Sequence, residues 1–88
     1  MKDGLDIDIV GNKCWYLNNK LHRTDGPAIE FIDGDKRWYL NGEYHRTDGP
    51  AVEFSDGNKY WYLNGIEFSE KEYIKTTRNK KLIEILGV

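Results

Sequence analysis

The sequence predicts a mainly β protein with a C-terminal α-helical cap: an antiparallel β-hairpin repeat meander with a 23-residue period. A tandem duplication, regularly placed turn signals and a late change of period carry that prediction. Residues 13–35 read KCWYLNNKLHRTDGPAIEFIDGD and residues 36–58 read KRWYLNGEYHRTDGPAVEFSDGN, identical at 16 of 23 positions. A third copy opens at Lys59 as KYWYLNG and departs at Ile66, while Ile9, Gly11, Asn12 and Lys13 match the tail of a degraded earlier copy. Eighty-eight residues hold one domain. It divides into a degenerate half repeat (1–12), repeat 1 (13–35), repeat 2 (36–58), a partial repeat 3 (59–68) and a helical cap (69–86).

Turn chemistry marks the strand ends. Asn41-Gly42 and Asn64-Gly65 follow Trp-Tyr-Leu, and Asn-Gly suits a two-residue hairpin in which both central residues need positive φ. Asn18-Asn19 stands at the first such position. Asp33-Gly34-Asp35 and Asp56-Gly57-Asn58 mark a second turn, and Asp25-Gly26-Pro27 and Asp48-Gly49-Pro50 a third. Between them lie short strands at about 13–17, 20–23, 28–32, 36–40, 43–46, 51–55, 59–63 and 66–68.

Alternation assigns the faces. Trp38 and Leu40 share one side of their strand, Arg37 and Tyr39 the other, and the duplication extends these into Trp, Leu and Tyr ladders. The expected core joins Trp, Leu, Ile29/Val52 and Phe31/Phe54, leaving Tyr16, Tyr39 and Tyr62 on the more exposed face beside Leu21 and Tyr44. Apolar residues make up only 39 %, but twelve are aromatic. Each buried ring removes roughly 150–250 Å² from water, worth at most about 4–6 kcal/mol. A few rings can thus replace many aliphatic side chains.

The last segment changes period. Ser69 and Glu72 form a capping box, with Phe68 and Tyr73 placed for the accompanying hydrophobic staple. Tyr73, Ile74, Thr77, Leu82, Ile83, Ile85 and Leu86 make a helical stripe interrupted by Arg78-Asn79-Lys80-Lys81, so one helix or two fit, with Gly87 as the stop. A helix here closes the open edge of the sheet.

A net charge of −2 is neither that of a general polyanion binder nor that of a nucleic-acid mimic. Cys14 is the only cysteine, so no intrachain disulfide or cysteine zinc site is expected. No signal-peptide pattern or membrane-length apolar run is present, which points to a cytoplasmic setting.

The Trp-Tyr-Leu-Asn-Gly and Asp-Gly-Pro-Ala units over residues 9–68 resemble the MORN-type repeat in its variant form. That resemblance implies a hairpin array serving as a scaffold or interaction surface. So short an array also resembles small phage-encoded repeat proteins that disable a host factor.

His22-Arg23-Thr24-Asp25 and His45-Arg46-Thr47-Asp48 invite an acid–base reading. An active site is not expected to be duplicated intact, and no Ser or Cys nucleophile accompanies it. The structural alternative has Asp capping its turn and Arg pairing with a nearby acid. His22 and His45 alone make only half a metal site. No catalytic residue, metal or cofactor is therefore assigned. The interface candidates are Tyr16, Tyr39, Tyr62, Tyr44 and Arg37, since Tyr and Arg are favoured at interfaces, with Glu30 and Glu53 as acidic contacts. The leading expectation is a non-enzymatic protein-binding module, a phage or mobile-element inhibitor of a host defence factor (anti-CRISPR-like or other anti-defence), acting in the host cytoplasm as a monomer or dimer. The alternatives are a nucleotide or glycan sponge, and nucleic-acid binding through Lys71, Lys75, Arg78, Lys80 and Lys81.

Overall fold

The computed structural model describes residues 2–86, with side chains placed as far as Arg78. Its turns follow from local chemistry. Asn18-Asn19, Asn41-Gly42 and Asn64-Gly65 all have positive φ, with Asn41 at 51° and Gly42 at 82°. Asn tolerates this left-handed region and Gly adopts it freely, so each pair reverses the chain in two residues. In the second kind of turn, Phe31 N–H donates to Asp35 O at 3.0 Å and Gly34 N–H to Phe31 O at 3.0 Å. Phe54, Asn58 and Gly57 make the same two bonds, as do Asp8, Asn12 and Gly11.

The elements are β1 (Gly4–Ile7), β2 (Lys13–Leu17), β3 (Lys20–Leu21), β4 (Ile29–Glu30), β5 (Lys36–Arg37), β6 (Tyr39–Leu40), β7 (Glu43–Tyr44), β8 (Val52–Glu53), β9 (Lys59–Leu63), β10 (Ile66–Phe68) and α1 (Glu70–Leu86). All strand pairings are antiparallel, so the protein is mainly antiparallel β with one C-terminal helix. The main sheet runs β1-β2-β4-β5-β8-β9-β10, with β3 on β2 and β6-β7 as a separate ribbon. This differs from a simple meander. Each long strand changes partner at its Trp: Cys14 pairs with Ile29, whereas Tyr16 pairs with Leu21 in its own hairpin. The break at Trp38 between β5 and β6 has the same origin, because Arg37 pairs with Val52 and Tyr39 with Tyr44. Among the described residues, no helix is long and apolar enough to cross a membrane.

Register corrects the expected faces. Ile29 stands opposite Cys14 and Arg37, and Val52 opposite Arg37 and Tyr60. Directly opposed residues share a face, so Ile29 and Val52 lie with the tyrosines and not with the tryptophans. Phe31 and Phe54 follow them, within 5.1 and 5.8 Å of the Arg37 guanidinium. The opposite face carries Trp15, Trp61 and a row of alternating charge, Lys13–Glu30–Lys36–Glu53–Lys59, each residue directly opposed to the next. Alternation holds within each strand, while the register between strands decides which of these faces continue into one another.

The core is thin. Ala28 and Ala51 are fully buried and Val52 and Tyr73 nearly so, while no large side chain is completely enclosed among the described residues. The tryptophans and the Tyr ladder are alike half-buried, so burial does not separate the faces as expected. Accessible surface is 6230 Å², against about 5400 Å² for a compact monomer of this mass. The radius of gyration is 14.4 Å, against about 12 Å for a compact chain of this length.

The helix forms as its capping box dictates. Glu72 N–H donates to Ser69 Oγ at 3.2 Å, and Ser69 N–H to Glu72 Oε1 at 3.2 Å. The Ser69 hydroxyl on its carboxylate holds Glu72 below its ordinary pKa. The Arg78–Lys81 interruption does not split α1, which is continuous from Glu70 to Leu86. Its attachment comes from Tyr73, 4 % exposed, whose hydroxyl donates to Arg46 O and accepts from Gly49 N–H. Gly87 and the side chains of Lys80, Lys81, Leu82, Ile83, Ile85 and Leu86, assigned above to the stop, the patch and the stripe, lie outside the described residues.

Candidate interaction surface

On the Trp face, both His-Arg-Thr-Asp segments are tied into the scaffold. The Arg23 guanidinium lies over the Trp15 ring, 3.8 Å from its centroid. Its Nε donates to Asp25 Oδ1 at 2.9 Å, and Nη1 to Pro27 O at 3.1 Å and Glu30 Oε2 at 3.2 Å. Arg46 repeats this set on Trp38, Asp48, Pro50 and Glu53 at 3.8, 2.9, 3.0 and 3.1 Å. The Arg–acid pairing expected from sequence is present, but the Asp side chain serves the arginine where it was expected to cap its turn. The Arg23 hydrogen bond accordingly lowers the Asp25 pKa.

The histidines join neighbouring hairpins. His22 Nδ1 accepts the Asn41 N–H at 3.0 Å, and His45 Nδ1 accepts the Asn64 N–H at 2.9 Å. At the first hairpin Asp3 Oδ1 supplies the acceptor, taking the Asn18 N–H at 2.6 Å. Backbone bonds accompany these joints: Arg23 N–H to Tyr39 O at 3.2 Å and Arg46 N–H to Tyr62 O at 3.3 Å. Among the described residues, no three His, Cys, Asp or Glu side chains converge as a metal-ligand set.

A groove of about 270 Å³ lies between the two segments, lined by Trp38, Leu40, Arg23, His45 and Arg46 among others. That volume falls just below the roughly 300–1,000 Å³ of ordinary ligand pockets. Its arginines already carry carboxylate partners. A nucleotide or glycan bound there would have to displace them.

The Tyr face is organised differently. Tyr39 faces Tyr44, with ring centroids 4.6 Å apart, and Tyr44 meets Tyr62 at 4.9 Å. Leu21 stands opposite Tyr16, over whose ring the Lys2 ammonium sits 4.9 Å from the centroid. Glu67 stands opposite Tyr62. Arg37 continues this face between Phe31 and Phe54. The seven interface candidates therefore divide: Tyr16, Tyr39, Tyr44, Tyr62 and Arg37 share one face, while Glu30 and Glu53 lie on the other, held by Arg23 and Arg46. Arg37 differs from both of those arginines, an asymmetry hidden in the sequence because its surroundings are set by register.

Burial, followed by the hydrogen bond to Tyr44, pushes the Tyr39 pKa up to about 12. An unfolded tyrosine ionises near pH 10, so the native state retains a proton that the unfolded state has lost. Stability contributed by Tyr39 is complete below about pH 10 and lost as pH rises through about 12. Tyrosinate absorbance titration should show a late step near pH 12 in the wild type that disappears in Tyr39→Phe. Full titration of all six tyrosines near pH 10 would contradict it.

No protein-family model, curated protein or solved structure matches this chain.

Proposed function

We propose that the chain is a non-enzymatic protein-binding module, a 23-residue hairpin-repeat array of MORN-like type whose working surface is the Tyr face. The observation that carries this reading is the unbroken Tyr39–Tyr44–Tyr62 row, held across separate hairpins at 4.6 and 4.9 Å. Tyrosine suits such a role because its ring buries area at low entropic cost while its hydroxyl remains hydrogen-bonded. The extended, thinly cored shape supports the same reading, since it presents more surface than folding alone requires. Both His-Arg-Thr-Asp segments have structural roles, which weighs against acid–base catalysis. The family resemblance favours an inhibitor carried by a phage or mobile element and directed at a host defence factor, in the cytoplasm of the host.

The test is retention of a bacterial protein, identified by mass spectrometry, on immobilised wild type and Tyr39→Ala. Roughly tenfold weaker retention by the variant is expected, as for loss of a hot-spot residue. A circular dichroism melt establishes that the variant is folded. Equal retention by both, or none by either, would remove the Tyr face from the account.

A further inference from the structure

The two sequence copies share most positions on both faces, Tyr16/Tyr39 and Phe31/Phe54 included, and depart at a few. On the Trp face, Lys13/Lys36, Trp15/Trp38, Arg23/Arg46 and Glu30/Glu53 are identical. On the Tyr face the equivalent positions read Cys14, Arg37 and Tyr60, and likewise Leu21, Tyr44 and Glu67.

Arg37 is the sharpest departure. Arg23 and Arg46 each hold two carboxylates, but no carboxylate among the described residues lies within 4.0 Å of Arg37. Its cross-strand neighbours are Ile29 and Val52, and its guanidinium lies between the Phe31 and Phe54 rings. Arg37 Nε is the single buried side-chain polar atom without a hydrogen-bond partner among the described residues. The guanidinium meets the Tyr39 hydroxyl but no carboxylate, so its charge has no counter-charge in the free protein, and a planar carboxylate matches the guanidinium fork. A nucleic-acid backbone would want several cations along its track. Here the charged neighbours on this face are Lys2, already paired with Asp6, and the acidic Glu67, so no track of free cations runs beside Arg37.

We propose that Arg37 anchors an Asp or Glu side chain of the partner protein, whose apolar neighbours cover Phe31, Phe54 and the Tyr39–Tyr44–Tyr62 row. This rests on the protein-binding reading and names the chemistry of its partner.

The test selects peptides on the intact wild-type protein from a random-peptide display library. Enriched peptides should contain Asp or Glu. Exchanging that residue for Asn or Gln should weaken binding roughly tenfold or more, and Arg37→Gln should do the same while Arg78→Gln does not. The peptide-side exchange leaves the protein unaltered, so the test survives a poorly folded Arg37→Gln. Peptides that bind equally well without their acid, yet are lost in Tyr39→Ala, overturn the Arg37 assignment and leave the binding reading standing. Failure to enrich any peptide counts against both. Binding of a single-stranded oligonucleotide that Arg37→Gln abolishes would assign the guanidinium to phosphate and overturn the inference.

Discussion

Replacing Arg46 by Met is expected to lower the melting temperature by on the order of 10–20 °C, at about 4–8 °C per kcal/mol for a domain of this size. The methionine keeps an apolar stem but loses the stack on Trp38 and the bonds to Pro50 O and Glu53. A cation–π contact contributes about 0.5–2 kcal/mol, and hydrogen bonds involving a charged group about 1.5–3. The Asp48 pair adds little because that carboxylate is 83 % exposed and screened by water. A net loss of about 2–3 kcal/mol follows. Arg46→Lys should recover only part of it, since an ammonium cannot reproduce the planar fork.

Gly49 is coupled to the same group. A Cβ there would lie 2.9 Å from Arg46 Cζ and 3.0 Å from Nη1. The guanidinium belongs to a flexible side chain, but Trp38, Asp48 and Glu53 fix it where the methyl group would go. Gly49→Ala should therefore cost about 1–2 kcal/mol in the wild type and almost nothing beside Arg46→Met. Urea denaturation of the four proteins measures the coupling. Strictly additive losses would show that Gly49 is needed for some other reason.

Tyr73→Ala should cost about 3–5 kcal/mol, as for other truncations of buried aromatics, and release the helix from the sheet. Tyr73 is the deepest-set side chain described on α1, and its hydroxyl bridges Arg46 O and Gly49 N–H. Isolated helices of this length are marginal in water. The far-UV helical signal should then melt at a lower temperature than the aromatic near-UV signal, instead of in one step. Tyr73→Phe keeps the ring and should lose only about 1 kcal/mol. A single cooperative melt in Tyr73→Ala would mean that α1 is held by other contacts.

What could be read in the sequence was local. Positive φ at Asn41-Gly42 and Asn64-Gly65, the Tyr39–Tyr44 pairing and the Ser69–Glu72 capping box all depend on residues close in the chain. The faces failed at the step from one strand to the next. Alternation tells which residues share a side within β5, but only register tells that Ile29 and Val52 flank Arg37. Strand β1 carries none of the repeated motif, so the alternation of Leu5 and Ile7 with Asp6 does not by itself mark it in the sequence. The roles of Asp3, His22 and His45 were illegible for a related reason. Each acceptor lies 15 or 19 residues from the turn it satisfies.

The His22–Asn41 and His45–Asn64 bonds join different hairpins through identical atoms, so the joints are interchangeable. Inserting a second copy of residues 36–58 in frame would lengthen the protein by one module while leaving β1 and α1 on their present neighbours. Each added module would carry its own guanidinium and paired tyrosines, so that on the proposed binding reading a monovalent surface would become a multivalent one. Avidity for a clustered target would then rise with module number, with no new kind of contact required.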